Sequence, residues 1–104
     1  MLRQGDVLLI PVDQDISKAK KISKDSAPIV LAEGETTGHA HKIAKAMAVL
    51  YMLGQAAEAI RILQVKRKTQ LVHEEHGALD LDPGLYKVVQ QREYSPEAIR
   101  NVAD

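Results

Sequence analysis

The residues best suited to chemistry in this chain are its four histidines, which fall into two tight pairs, Gly38-His39-Ala40-His41 and His73-Glu74-Glu75-His76. Neutral imidazole binds Zn, Fe, Ni or Cu, and carboxylates can complete such a shell. On a strand, a His-x-His pair turns both rings to one face. His39 and His41 are therefore expected to share a face with Ile43, which marks it as the inner one. In the second pair, His73 shares a face with Leu71 and Glu75. His76 is out of phase, and a bulge or a bend near Gly77 would bring it back. The expected ligands are His39, His41 and His73, with His76 or Glu75 as the fourth, around a divalent transition ion such as Zn, Fe, Ni or Mn. Three ligands and an open position would make a catalytic layout, and four a structural one. The spacing suits both. A metal-free polar cluster is the alternative, with Glu74 or Glu75 orienting a histidine for proton transfer near neutral pH. Thr36 and Thr37 precede His39 but have no base fixed beside them, so they read as turn residues rather than nucleophiles. The chain has no Gly-x-Ser-x-Gly elbow, phosphate loop or dinucleotide fingerprint.

The elements that must position these residues are strands. Val7-Leu8-Leu9-Ile10 is a short apolar run between Gly5-Asp6 and Pro11 and reads as a buried strand. Residues 13–27 are polar and read as a loop, and Ile29-Val30-Leu31-Ala32 as a second strand. Residues 33–38 carry turn chemistry, and 39–43 form the strand with the first histidine pair. Residues 44–60 admit two readings. Alanine content suits a helix, whereas Val49-Leu50-Tyr51 and the interruption at Gly54 suit a hairpin of strands over 46–53 and 60–66. The neighbouring strands favour the hairpin. Its first strand is apolar on both faces, which a dimer contact or a protein partner would explain. Leu71-Val72-His73 and Leu79-Asp80-Leu81-Asp82 read as further strands. Pro83-Gly84 is a turn, and Leu85 begins a strand running on to Tyr94. Ser95-Pro96-Glu97 has the capping hydroxyl, first-turn proline and early carboxylate of a helix start, giving a short C-terminal helix to Asp104. Frequent turns between short strands predict a mostly β protein, a small β-barrel or β-sandwich forming a single domain over 1–104.

Composition narrows the functions. A chain of 104 residues supports one core. That core must be aliphatic, since Phe and Trp are absent. The absence of cysteine excludes disulfides and thiolate metal sites. The 14 basic and 14 acidic residues cancel, without the basic excess of a duplex-binding domain. Lys18, Lys20, Lys21 and Lys24, and the run Lys66-Arg67-Lys68, read as solvated loops or strand ends, and nucleic-acid binding is not expected. No apolar stretch approaches the ~20 residues of a membrane span. The opening Met1-Leu2-Arg3-Gln4-Gly5-Asp6 lacks a signal-peptide layout, so a cytoplasmic protein is expected.

Three groups of segments also carry a resemblance. They are Leu31 to His41 (LAEGETTGHAH), Leu71 to His76 (LVHEEH), and Pro83 to Val88 with Gln91 to Tyr94. Together they resemble a family of small uncharacterised bacterial and phage-associated proteins, a resemblance that implies no mechanism. Gly38-His39-Ala40-His41 followed by Pro83-Gly84 is similar to the cupin pattern, which implies a β-barrel with His39 and His41 as paired metal ligands. The chain departs from that pattern at Lys42 to Ala46, which lacks the expected Glu, and in placing His73 and His76 before the Pro-Gly turn. Gln4 to Leu9 also resembles the opening of co-chaperonin and other small barrels.

Overall fold

In the computed structural model of the chain, which describes residues 1–33 and 38–91, ten strands form two antiparallel sheets. They are β1 (Leu2–Gln4), β2 (Val7–Pro11), β3 (Lys20–Lys21), β4 (Ile29–Glu33), β5 (Ala40–Ile43), β6 (Ala48–Leu53), β7 (Ile60–Val65), β8 (Thr69–Val72), β9 (Leu79–Leu81) and β10 (Gly84–Gln90). The larger sheet runs β1-β2-β10-β7-β6-β3 and the smaller β4-β5-β8-β9. The protein is mostly β, as its alternating apolar pattern requires. Among the described residues, the closed barrel implied by the cupin likeness is not formed, because the strands divide into two separate sheets.

Side-chain alternation explains how the sheets meet. Val7 and Leu9, Tyr86 and Val88, Leu63 and Val65, and Ala48 and Leu50 lie on one face of the larger sheet and join one core cluster. Ile29, Leu31, Ile43, Leu71 and Leu81 of the smaller sheet complete it. Each fully buried Leu or Ile contributes roughly 1.5–3 kcal/mol relative to exposure.

Residues 44–60 form the hairpin and not the helix. β6 and β7 pair from Ala48↔Val65 to Leu53↔Ile60, and the turn between them holds Gly54 at φ 95° and a 3-10 turn over Ala56–Glu58. Burial within the chain already accounts for part of the apolar character of 46–53. Leu50 lies in the core, and Val49, which points to the opposite face, is buried too. The polar stretch 13–27 is a loop except at Lys20–Lys21, which add a two-residue strand beside β6. The turn residues Gly34 to Thr37, the extension of the last strand to Tyr94 and the C-terminal helix at Ser95–Asp104 lie outside the described residues. Among the described residues, no helix is long and apolar enough to cross a membrane.

Candidate functional site

The two histidine motifs meet because of strand register. β5 and β8 pair antiparallel with Lys42↔Val72 and Ile43↔Leu71. Continuing that ladder beyond β8 sets His41 opposite His73, Ala40 opposite Glu74, and His39 opposite Glu75. The contacts follow that order. The His41 and His73 rings stand 4.4 Å apart, the Ala40 N–H donates to Glu74 Oε2 at 3.0 Å, and His39 Nδ1 lies 3.5 Å from Glu75 Oε1.

The chain then bends over Glu74–His76, ahead of Gly77, where the bend was expected. The bend returns His76 toward its neighbours, with its ring centroid 4.6 Å from that of His73 and 6.0 Å from that of His41. His39 packs edge-on to His73 at 5.8 Å. His39 precedes β5, and His73 follows β8, so neither lies within a strand. Only His41 is fully interior, 2% exposed, on the buried face with Ile43. His39 and His73 are half-buried, and Glu74, Glu75 and His76 are exposed. Thr36 and Thr37 lie outside the described residues.

The structure adds two residues that were not expected at the site, Gln4 and Asp6. Gln4 ends β1 on the core-facing side and is 2% exposed. Its Nε2 donates to the carbonyls of Leu71 at 2.8 Å and Gly77 at 2.9 Å, and its Oε1 faces His41 Nδ1 at 2.8 Å. One side chain thus ties the larger sheet to the smaller. Asp6, in the β1–β2 turn, sets Oδ1 3.1 Å from His41 Nε2. Its Oδ2 accepts from Gln90 Nε2 at 3.0 Å, and its carbonyl accepts from the Gln91 N–H at 2.7 Å. The only sequence signal for Gln4 is a polar residue in an inward register, two positions after Leu2.

Burial lowers the His41 pKa, and nearby His73 and His76 add to that; Asp6 opposes it. For Asp6, partial burial acts to raise the carboxyl, but the Gln90 hydrogen bond, its own backbone N–H and His41 hold it below its ordinary value. The Ala40 N–H, first among the causes, lowers Glu74. Burial therefore favours the neutral form of His41, and its neighbours favour the ionised form of Asp6.

A stability profile follows for the metal-free protein. The folded His41 value lies below its ordinary 6.5. Below that pH the unfolded chain binds a proton that the folded chain resists. Stability is full at neutral pH and declines as the pH falls from 6.5 toward the lowered His41 value. Asp6 acts in a second window, its contribution present above 3.8 and lost as the pH falls through its lowered folded value. Urea denaturation between about pH 4.5 and 8 should show the first decline, and His41→Gln should flatten it. An equally steep profile in the variant would assign the decline elsewhere.

Among the described residues, no group of three or more His, Asp or Glu side chains stands in a metal-holding arrangement. The ring centroids stand 4.4–6.0 Å apart, and the His41 and His76 rings lie within 12° of parallel. With Zn–N bonds of about 2.1 Å, two imidazoles on one ion have centroids roughly 4.5–6.4 Å apart, depending on the angle.

A family model described as Domain of unknown function (DUF8820) matches residues 3–91, a span that includes Gln4, Asp6 and all four histidines. This agrees with the uncharacterised family expected from the sequence. No curated protein and no solved structure matches the chain.

Proposed function

We propose that this chain, which belongs to the DUF8820 family of domains of unknown function, binds a divalent transition-metal ion in its histidine pocket. One observation carries the reading. The Gln4 amide gives its N–H groups to two carbonyls, so its oxygen must accept, and His41 Nδ1 must carry a proton. In the neutral ring, Nε2 then presents a lone pair to the Asp6 carboxylate at 3.1 Å. Two acceptors facing each other in a partly buried place repel unless a cation joins them, a proton on Nε2 or a metal ion, and burial of His41 works against the proton. A separation of 3.1 Å is also what two donors on one ion adopt, given metal–ligand bonds of about 2.1 Å. A metal-bound histidine commonly donates its other ring N–H to a fixed acceptor, and Gln4 supplies that acceptor.

Zn, Fe, Ni and Mn all suit a mixed imidazole–carboxylate shell. The test is metal content of untagged protein by elemental mass spectrometry, before and after incubation with these ions. The expected result is near one ion per chain, abolished in His41→Ala. No ion in the wild-type protein under any loading condition would end the proposal, and unchanged content in the variant would move the ion elsewhere.

A further inference from the structure

We infer that the end of the two sheets opposite the histidines binds the phosphate backbone of double-stranded nucleic acid, without regard to base sequence. Along the chain the charges cancel, with 14 basic and 14 acidic residues, and neither lysine-rich segment is enough by itself. The fold joins them. Lys20–Lys21 form β3 beside β6. The chain then follows that edge, with the Ile22 and Ser23 N–H groups donating to the Leu50 carbonyl at 2.9 and 3.3 Å. Ser23 Oγ accepts from the Leu50 N–H at 2.9 Å, which fixes the segment that carries Lys24. Just before β6, the Met47 carbonyl accepts from the Lys66 N–H at 2.9 Å and the Arg67 N–H at 3.4 Å. These bonds set the β7–β8 turn, Lys66-Arg67-Lys68, against the β5–β6 turn that carries Lys45. The Asp25 carboxyl feels both segments. The hydrogen bond and charge of Lys21 lower it most, and the charge of Lys66, on the other side of β6, adds to them.

Charge is therefore segregated in space although it balances in sum. Lys21, Lys24, Lys45, Lys66, Arg67 and Lys68 are all exposed, and Asp25 is the one acidic residue in segments 20–25, 44–47 and 66–68. Among the described residues, Lys21 alone of the six makes an ion pair, with Asp25 at 2.8 Å. Asp6, Glu33, Glu74 and Glu75 lie at the other end, beside the histidines and Ala40. β5 and β8 run antiparallel between these two ends. Like charges gathered on one surface repel one another, and a polyanion removes that repulsion.

The composition of the patch selects the polyanion. Duplex nucleic acid carries one phosphate charge per about 1.7 Å of axis, so lysines on separate turns can each meet a phosphate. The three segments hold no aromatic residue, so single strands, which bind by stacking their bases, find no platform. Contacts to phosphate alone carry no sequence information. An anionic membrane needs apolar insertion beside the charge. Ile22 is the one large apolar side chain exposed in these segments, and Met47 packs on the core.

Fluorescence anisotropy with a labelled DNA duplex of about 20 base pairs and mixed sequence tests the inference. With Lys24, Lys45, Lys66, Arg67 and Lys68 each on a phosphate, the logarithm of affinity should fall with the logarithm of salt at a slope of about −4.5. Raising salt from about 50 to about 200 mM then weakens binding about 500-fold. Lys66→Glu with Arg67→Glu should weaken it at least about tenfold and flatten the slope by about 1.8. Arg3→Glu with Lys87→Glu makes the same change in net charge away from the patch, and screening should hold its effect under about threefold. No binding at about 50 mM salt, equal loss in the two double variants, or preference for phosphatidylserine vesicles over the duplex would each overturn the inference. Amide 1H–15N shifts of the wild-type protein need no variant. On adding duplex they should move at 21–25, 45–47 and 66–68, and shifts confined to the histidine end would overturn it as well.

Discussion

Gln4→Leu is expected to lose about 3 kcal/mol of stability, far more than its place in a three-residue edge strand suggests. Leucine fits the apolar surroundings but cannot replace three polar contacts. The Leu71 carbonyl and His41 Nδ1–H would be left without partners in the interior, and a buried orphan costs about 1–3 kcal/mol. The Gly77 carbonyl belongs to an exposed residue and can turn to water, so it adds less. At roughly 4–8 °C per kcal/mol for a domain of this size, the melting temperature should fall by about 12–24 °C. His41→Ala should cost less, because Gln4 keeps both carbonyl partners. Calorimetry on the two variants gives the comparison. A Gln4→Leu protein as stable as the wild type would mean that the polar tie between the sheets carries no net energy.

Gly5→Ala is expected to act on the pocket more than on the fold. Gly5 sits at φ 57°, where an added Cβ costs about 1–2 kcal/mol. The new methyl would also meet His76 Nε2 at 2.6 Å, so the exposed His76 ring must swing away. The His41 ring at 3.3 Å must yield by a few tenths of an ångström. Affinity for Zn(II) should fall by at least about tenfold, with a modest fall in melting temperature. Gly54→Ala is the control. Gly54 also has positive φ, 95°, but its neighbours are Glu58 and Ala59 in a distant turn. It should lose similar stability and keep full affinity. Equal affinity in the two variants would show that the ion does not sit beside Gly5.

Both outcomes depend on long-range contacts. The Gln4 side chain reaches partners 37, 67 and 73 positions away, and Asp6 meets its histidine at a separation of 35. His41 gains its tautomer from one of these contacts and its facing carboxylate from the other. Exposed His76, by contrast, is held near them by a local bend, and one methyl group at Gly5 is enough to displace it.

What the sequence determined by itself is local. Alternation of apolar and polar residues marked the strands, because strand side chains change face at every step. The break at Gly54 separated β6 from β7 even though alanine favours helix, since β-branched and aromatic residues around Val49 and Tyr51 suit a paired strand. His41 could be placed on the inner face from Ile43, two residues on. The tertiary structure decided what alternation cannot encode. Sheet order brought β1 over the end of the smaller sheet. The β5–β8 register set His41 against His73 and His39 against Glu75. The close of β8 at Val72 released His73 to Glu75 and His76 into a bend. Gln4 at the end of β1 and Asp6 in the turn after it make a short polar stretch that resembles any surface loop when read along the chain. Their place beside His41 arises only when two sheets pack face to face, because partners dozens of residues apart are chosen by the global arrangement of strands and not by neighbours in sequence.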